Sequence, residues 1–203
     1  LQTNFNLFLD PRWGRGQEVS GECPILASEY VTSWVAGVQA PRGPGGVPLA
    51  GASCKHFVAY TLEGAGKDGV FKRPRPMASR HNFDARSSKM DLADTHYPML
   101  QACTGAGAKG VMTSYNAVNG IPMAANGKIT NDLLRESWGF RGAVMSDCGA
   151  VDDVWQRHKY AANSTDAARK VLAGGTDIEC GNTIKHAFTE DMHNHLQQAV
   201  QRS

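Results

Sequence analysis

The 203-residue sequence predicts an α/β fold built from repeated strand and helix units. Four short apolar runs of strand length recur, at 51–58, 110–115, 142–146 and 175–179. Patterns with apolar residues three and four positions apart, which are typical of helices, separate these runs. Strands that alternate with helices in this way form parallel sheets. The sequence therefore predicts a parallel sheet whose strands are joined by helices.

The individual elements follow from the same periodicities. Helices are predicted at 27–39, 89–103, 130–138 and 165–173, with caps at Thr130 and at 163–165. The opening residues 4–9 suggest one more strand. Residues 62–84 have little periodicity, and so long an irregular connection in a compact α/β domain is a functional lid or an insertion. At most five strands are visible, so an eight-stranded barrel would be incomplete in this chain.

Composition and charge exclude several classes of protein. The chain is 41% hydrophobic and 20% charged, which is typical of a globular domain and not of a disordered or fibrous chain. The 21 basic and 19 acidic side chains leave a net charge of +2, so nucleic acid is not an expected partner. No run approaches the roughly 18 apolar residues of a membrane span. The sequence does not open with a charged start followed by an apolar signal core. Because it begins with Leu1 rather than Met, we interpret it as a piece of a longer protein.

Five cysteines and one glycosylation sequence bear on metal binding and location. The cysteines are too dispersed for a Cys-x-x-Cys motif, so no zinc or redox site is predicted. Their odd number leaves at least one of them unpaired within the chain, and the sequence does not give the pairing. Asn163-Ser164-Thr165 is an N-glycosylation sequence, which would place its loop outside the cell if it were used.

Asp147 is the first candidate for chemistry. It directly follows the apolar run 142–146, and Tyr115 and Asn116 end the preceding run in the same way. Polar side chains just past the carboxyl ends of parallel strands can reach a ligand, because the chain leaves the buried sheet there. A phenol beside a carboxylate nucleophile can donate a hydrogen bond that aligns it. Tyr-Asn after a strand is equally compatible with an ordinary turn.

Two basic segments supply candidate binding residues. Lys55 and His56 lie inside an apolar strand, where burying an unpaired lysine is costly unless it meets a carboxylate or a ligand. Arg12 and Arg15 lie in a glycine-rich loop, where a guanidinium group can hold hydroxyls through paired donors. Glu18 follows this loop and either orients the arginines or caps the next helix. A purely structural alternative exists for each segment. Lys55 would lie at a strand end and reach solvent, and the arginine loop would be a packed corner.

Four of these segments together resemble glycoside hydrolase family 3, in the same order and at familiar spacings. They are Asp10-Pro-Arg-Trp-Gly-Arg-Gly-Gln-Glu18, Lys55-His-Phe57, Ser114-Tyr-Asn116 with Asn119-Gly120, and Ser146-Asp-Cys-Gly149. The resemblance covers nearly the whole chain. It implies that residues 1–203 are part of a catalytic barrel of the triosephosphate isomerase type, a (β/α)8 barrel that is incomplete here.

The resemblance also implies a retaining β-glycosidase. Asp147 would be the nucleophile that forms a covalent glycosyl-enzyme, with nearby Lys and Arg charges expected to lower its pKa and keep it ionised. The residues that would bind the sugar or support the nucleophile are Arg15, Glu18, Lys55, His56 and Tyr115. Neither a metal nor an organic cofactor is implied. Secretion is expected for this family.

A second carboxyl group is required by the retaining mechanism, about 5 to 5.5 Å from the nucleophile. In this family it comes from an α/β sandwich domain that follows the barrel. We expect this domain, and the early strands of the barrel, to lie outside the 203 residues. The isolated chain is then an incomplete catalytic domain that is expected to be inactive.

Cys148 follows Asp147 at a position where many β-glucosidases of the family have Trp. This form resembles the β-xylosidase and α-arabinofuranosidase branch, so the expected substrates are terminal β-D-xylosyl residues of xylo-oligosaccharides from xylan. Three alternatives remain open. They are a β-glucosidase of the same family, a non-catalytic carbohydrate-binding remnant, and an unrelated barrel lyase that uses Lys55 to form a Schiff base.

Overall fold

The structure, a computed structural model, describes residues 1–41, 43–64 and 79–189. The strands are β1 (Gln2–Asn4), β2 (Ser53–Phe57), β3 (Asp84–Ala85), β4 (Gly110–Thr113), β5 (Ala117–Val118), β6 (Ile121–Pro122) and β7 (Ala143–Ser146). The α-helices are α1 (Pro24–Val38), α2 (Lys89–Asp91), α3 (Pro98–Gly105), α4 (Ala150–Gln156) and α5 (Ser164–Ala173). Wider, π-helical turns cover Leu92–His96 and Lys128–Ser137.

A four-stranded parallel sheet organises the fold. Its strand order is β1-β2-β4-β7, and all three strand pairs are parallel. Helices α1 and α3 pack together on one side of this sheet. A parallel bridge between Met145 and Ile178 continues the sheet beyond β7. The predicted α/β fold with parallel strands is confirmed, and the open sheet has the form of part of a barrel.

Three of the predicted strands are present and two are changed. Strands β2, β4 and β7 lie inside the predicted runs, whereas 175–179 contributes only the bridge at Ile178. The prediction of a strand over 4–9 was wrong, because β1 ends at Asn4. Asn6 ends the backbone ladder there, since its side-chain amide accepts from the His56 N–H at 3.0 Å and donates to the His56 carbonyl at 2.9 Å.

The predicted helices are present with shifted ends. Helix α1 begins at Pro24, where a proline in the first turn loses no hydrogen bond. The stretch 89–103 is divided into α2, a π-helical turn and α3, because Pro98 cannot donate a backbone hydrogen bond within a continuous helix. Asn163 caps α5 as predicted, accepting from the Asp166 N–H at 2.9 Å. Thr130 is not a cap, since its helical segment begins at Lys128.

Several elements were not predicted. Strands β3, β5 and β6 form a second, three-stranded sheet, and each is two residues long, too short to show a periodicity. Helix α4 follows Gly149, whose φ of 79° suits a residue without a side chain. Residues 183–189 are also helical. The proposed lid or insertion over 62–84 falls largely outside the described residues.

Two apolar clusters form the core. One joins the sheet to α1 and α3 and includes Phe5, Val31, Leu100 and Val144. The other lies at the carboxyl end of the sheet and includes Trp13, Tyr60, Tyr115, Val151 and Val171. Disulfides join Cys54 to Cys103 and Cys148 to Cys180, and Cys23 is free and exposed. None of the helices in the described ranges is long and apolar enough to cross a membrane.

Replacing Gly142 by Ala should destabilise the fold by about 1 to 3 kcal/mol. The added Cβ would collide with the Lys109 carbonyl oxygen and lie 2.6 Å from the Phe140 ring, forcing β7 away from β4. Gly37→Ala is the matched control: nothing lies within 4 Å of its Cβ, and alanine in α1 should stabilise by about 0.5 to 1 kcal/mol. Urea unfolding measures both, and equal effects of the two changes would contradict this packing.

Candidate active site

The candidate residues converge at the carboxyl edge of the parallel sheet. Asp147 directly follows β7, Tyr115 lies two residues past β4, and His56 is near the end of β2. The Nε2 atom of His56 lies 3.4 Å from Asp147 Oδ2 and 3.4 Å from Arg15 Nη1. Residues from three strands and the loop after β1 therefore surround one carboxyl group.

Asp147 is held by its backbone and by one of its two side-chain oxygens. Its N–H donates to the Thr113 carbonyl at 3.2 Å, and its Oδ1 accepts from the Cys148 N–H at 2.8 Å. The residue is only 8% exposed. Within the described part of the chain, the buried Oδ2 has no hydrogen-bond partner. One carboxylate oxygen is thus fixed by the backbone, and the other lies 3.4 Å from His56 Nε2 without a hydrogen bond from any described residue.

Burial raises the pKa of Asp147 above its ordinary value. The Cys148 N–H, the Tyr115 phenol and the positive charges of Arg15 and Lys55 act in the opposite direction. The expectation that nearby Lys and Arg charges lower the pKa of Asp147 is confirmed in direction, but burial outweighs them and the net shift is upward. The reason is that removing a carboxylate from water costs more than these partners restore.

His56 is a neutral acceptor in this site. Its Nδ1 lies 3.2 Å from Asn6 Oδ1, an oxygen that can only accept, so the ring proton is on Nδ1 and the lone pair is on Nε2. Burial lowers the pKa of His56 to about 2, with Arg15 and Lys55 adding to the effect. The imidazole therefore presents an unprotonated nitrogen toward Arg15 and Asp147.

Arg15 and Glu18 form a bidentate salt bridge beside His56. The Nε and Nη2 atoms of Arg15 each donate to a Glu18 oxygen at 2.7 Å, and Asn4 reaches the same carboxylate at 3.5 Å. Glu18 therefore orients Arg15. The alternative role, a cap for the next helix, is not observed, because the capping position of α1 is occupied by Cys23. Arg12 instead pairs with Asp10 and faces solvent, with 88% of its side chain exposed.

Lys55 and Tyr115 complete the set. Lys55 is half-buried in β2, and its charge acts on Glu18, His56 and Asp147. The Tyr115 hydroxyl donates to the Cys148 carbonyl at 2.9 Å. Burial, followed by the negative charge of Asp147, raises the pKa of Tyr115. The phenol therefore stays protonated and remains a hydrogen-bond donor beside the carboxylate.

Some residues of the site were missed from the sequence. Asn6, which fixes the tautomer of His56, lies in the stretch assigned to a strand. The sequence signal that was available is the pair of asparagines Asn4 and Asn6, two polar residues that alternate with apolar ones. Arg80 and His81 lie in the aperiodic stretch 62–84, where no pattern distinguishes them. Among the described residues, no group of three or more His, Cys, Asp or Glu side chains is placed to hold a metal ion.

Together, these side chains can bind hydroxyl groups and present a carboxylate oxygen to a bound molecule. A partly satisfied carboxylate faces two cations, a neutral imidazole acceptor and a phenol donor. Neutral, hydroxyl-rich molecules fit such a mixture of donors and acceptors. The fixed Oδ1 and the open Oδ2 of Asp147 leave one oxygen available for attack on a bound carbon atom.

Comparisons with known proteins show which family the chain resembles over nearly its whole length. The model of the family described as glycosyl hydrolase family 3 N-terminal domain matches residues 6–202. A probable exo-1,4-β-xylosidase, bxlB, of Aspergillus clavatus is 44% identical over 188 residues, which are 90% of this chain and 23% of the relative. The probable β-D-xylosidase 7 of Arabidopsis thaliana is 39% identical over 90% of this chain and 23% of its own length.

Two solved structures extend the likeness to the fold. A GH3 exo-β-xylosidase, XlnD, in complex with a xylobiose aziridine probe, has a TM-score of 0.80 at 34% identity, covering 92% of this chain and 24% of that one. A β-glucosidase from Listeria innocua in complex with isofagomine has a TM-score of 0.77 at 32% identity, and the match covers 95% of this chain and 25% of the glucosidase. The chain thus spans about a quarter of the length of the relatives that it matches.

Replacing Asp147 by Asn should stabilise the fold at neutral pH by about 1 kcal/mol. The raised pKa means that the native state binds the proton more tightly than the unfolded state, so ionised Asp147 destabilises the native state above that pKa. The gain should shrink as the pH falls and the wild-type carboxyl group becomes neutral. Urea unfolding at several pH values measures it.

Asp94→Asn serves as the control, because Asp94 is exposed on the π-helical turn after α2. Its effect should stay within about 0.5 kcal/mol at every pH. A lower stability of Asp147→Asn than of the wild type at pH 7 would show that burial does not dominate at this carboxyl group.

Proposed function

The chain belongs to glycosyl hydrolase family 3, and we propose that it supplies the nucleophile and the sugar-binding residues of a retaining β-glycosidase. The proposed substrates are terminal β-D-xylosyl residues at the non-reducing ends of xylo-oligosaccharides. The observation that carries the proposal is the buried Asp147 carboxyl group, with one oxygen fixed by the Cys148 N–H and the other without a partner among the described residues.

The proposed chemistry begins with attack by Asp147. Its Oδ2 forms a bond to the anomeric carbon while the bond from that carbon to the leaving oxygen breaks, which gives a glycosyl ester of Asp147. A second carboxyl group gives its proton to the leaving oxygen. That group then accepts a proton from water as the water displaces Asp147. Two displacements restore the β configuration.

We assign the second carboxyl group to a part of the protein outside residues 1–203. The relatives are about four times as long as the part of them that this chain matches. Glu18, the carboxylate paired with Arg15 beside His56, is already engaged through two hydrogen bonds. On this proposal the chain performs nucleophilic attack only together with the remainder of the intact protein.

The sugar-binding roles follow from the donor and acceptor inventory. The neutral Nε2 of His56 accepts a hydrogen bond from a sugar hydroxyl, and the guanidinium group of Arg15 donates to sugar oxygens. Lys55 donates a further hydrogen bond and lowers the cost of ionising Asp147. Glu18 does not need to contact the sugar, because it fixes the plane of Arg15 through the two bonds at 2.7 Å.

The preference for xylose rests on the residue after the nucleophile. Cys148 is joined by a disulfide to Cys180, at the end of the next stretch of chain, so its side chain cannot swing toward or away from the sugar. Several relatives that match most of the chain are named as xylosidases. A β-glucosidase is the second candidate, supported by the likeness to the Listeria innocua enzyme.

We also propose that the protein is exported to an oxidising compartment. Two disulfides join Cys54 to Cys103 and Cys148 to Cys180, and disulfides persist mainly outside reducing cell compartments. Asn163 of the glycosylation sequence is exposed. Mass spectrometry of the protein purified from its natural source should find a glycan on Asn163 and only Cys23 reactive toward an alkylating agent. An unmodified Asn163 together with five reactive cysteines would refute export.

Trapping of the covalent intermediate tests the function. The intact protein that contains this sequence is incubated with an activated 2-fluoro xyloside and, separately, with a 2-fluoro glucoside, and digested for mass spectrometry. We expect a 2-fluoroxylosyl adduct on the peptide that carries Asp147, because the fluorine slows both formation and hydrolysis of the ester and the activated leaving group restores only the formation step. Asp147→Asn should carry no adduct.

The other outcomes separate the alternatives. A glucosyl adduct without a xylosyl adduct would assign the protein to the β-glucosidases. No adduct from either reagent on a folded protein would favour a non-catalytic carbohydrate-binding remnant. Labelling of Lys55 by a carbonyl substrate and borohydride would instead indicate a Schiff-base lyase.

A further inference from the structure

The guanidinium group of Arg80 lies over the ring of Tyr115, and the mechanism above does not use it. Its central carbon is 4.9 Å from the ring centroid. Glu63 holds this arrangement, since Arg80 Nη1 donates to Glu63 Oε1 at 2.7 Å and the Arg80 N–H donates to the Glu63 carbonyl at 2.9 Å. Arg80 is therefore fixed against the phenol that borders Asp147.

His81 connects Arg80 to the buried Asp153. The Nε atom of Arg80 donates to His81 Nε2 at 3.2 Å, and His81 Nδ1 lies 2.6 Å from Asp153 Oδ2. Because Nε2 accepts a hydrogen bond, the ring proton lies on Nδ1 and is donated to the carboxylate. Asp153 is 6% exposed and belongs to α4. All donors in this chain of hydrogen bonds point from the guanidinium group toward the carboxylate.

The same residues enclose Tyr115. The His81 ring centroid lies 4.6 Å from that of Tyr115. The Nε2 atom of His158 lies 2.8 Å from the Tyr115 carbonyl oxygen, and the His158 N–H donates to the Asp153 carbonyl at 2.8 Å. Tyr115 is thus held at its ring, at its backbone and at its hydroxyl, which donates to Cys148.

We propose that Arg80, held by His81 and Asp153, is a positioning residue that acts through Tyr115 on the nucleophile Asp147. The role of Asp147 in this inference rests on the function proposed above. A cation over an aromatic ring is attracted to its π face, so Arg80 fixes the plane of the ring. It also draws electron density from the ring and makes the phenol a stronger hydrogen-bond donor.

The electrostatics of Tyr115 support this role. Burial and the negative charge of Asp147 raise the pKa of Tyr115, and the charge of Arg80 acts in the opposite direction. Arg80 lies directly over the ring of the phenol that borders Asp147, and its charge acts on His56 only as the last and smallest of the causes that lower the pKa of that residue. Its loss should therefore slow the reaction at Asp147 more than it weakens sugar binding.

Inactivation kinetics of the intact protein with the 2-fluoro sugar test the proposal. For Arg80→Met the maximal rate of adduct formation should fall about threefold to tenfold, as loss of a partly buried cation over the ring predicts, while the half-saturating concentration stays within about twofold. Arg80→Lys should give an intermediate rate, since it keeps the charge and loses the fork that reaches Glu63 and His81.

Arg86→Met is the matched control. Its side chain is 80% exposed and pairs with Asp84, so the same chemical change there should leave both kinetic constants unaltered. An unaltered maximal rate in Arg80→Met would overturn the proposal. A rate lost equally in the control would also overturn it.

Fluorine NMR gives a second readout that needs no activity. With 3-fluorotyrosine incorporated and the Tyr115 signal assigned by Tyr115→Phe, the signal should shift or broaden in Arg80→Met and in His81→Asn, and not in Arg86→Met. An unchanged signal in both site variants would overturn the positioning role. If the unsubstituted protein forms no adduct, the proposed function fails, and the fluorine signal still decides whether Arg80 positions Tyr115.

Discussion

The burial of one carboxyl group at the carboxyl edge of the parallel sheet is the constraint around which the other polar residues are arranged. Asp147 leaves β7 with Oδ1 satisfied by the next backbone N–H and with Oδ2 unpartnered within the described residues. Burial outweighs two cations and a phenol in setting its pKa. A buried acceptor without a partner is costly. On the proposed function, a bound sugar meets this unpartnered oxygen.

The loop that carries Asp147 is fixed by the stretch of chain after it. The Gly149 N–H donates to the Cys180 carbonyl at 2.8 Å, and the Cys180 N–H donates to Ser146 Oγ at 3.1 Å. The disulfide from Cys148 to Cys180 joins the same two segments covalently. Because the Cys148 N–H and carbonyl bind Asp147 and Tyr115, this tether orients both side chains. Cys148 therefore both anchors this loop through its disulfide and holds Asp147 and Tyr115 through its backbone.

The sequence contained much of this arrangement and lacked specific parts of it. Asp147 and Tyr115 were identifiable because polar residues end apolar strands, and parallel strands end at one edge. The partnership of Asn6 with His56 was hidden, because a side chain there replaces a strand hydrogen bond. The contact of Arg80 with Tyr115 joins residues from an aperiodic stretch to a strand end. Periodicity carries no information about such long-range contacts, nor about the balance of burial and charge at a carboxyl group.

The most direct test of this account is a carbon-13 NMR titration of the Asp147 carboxyl group in the intact protein, with the signal assigned by Asp147→Asn. The account predicts a pKa above the ordinary value of 3.8, because burial dominates over Arg15 and Lys55. A pKa at or below that value would contradict it. The carboxylate would then be stabilised by its cations before any sugar arrives, and the open Oδ2 would not be the feature that a ligand completes.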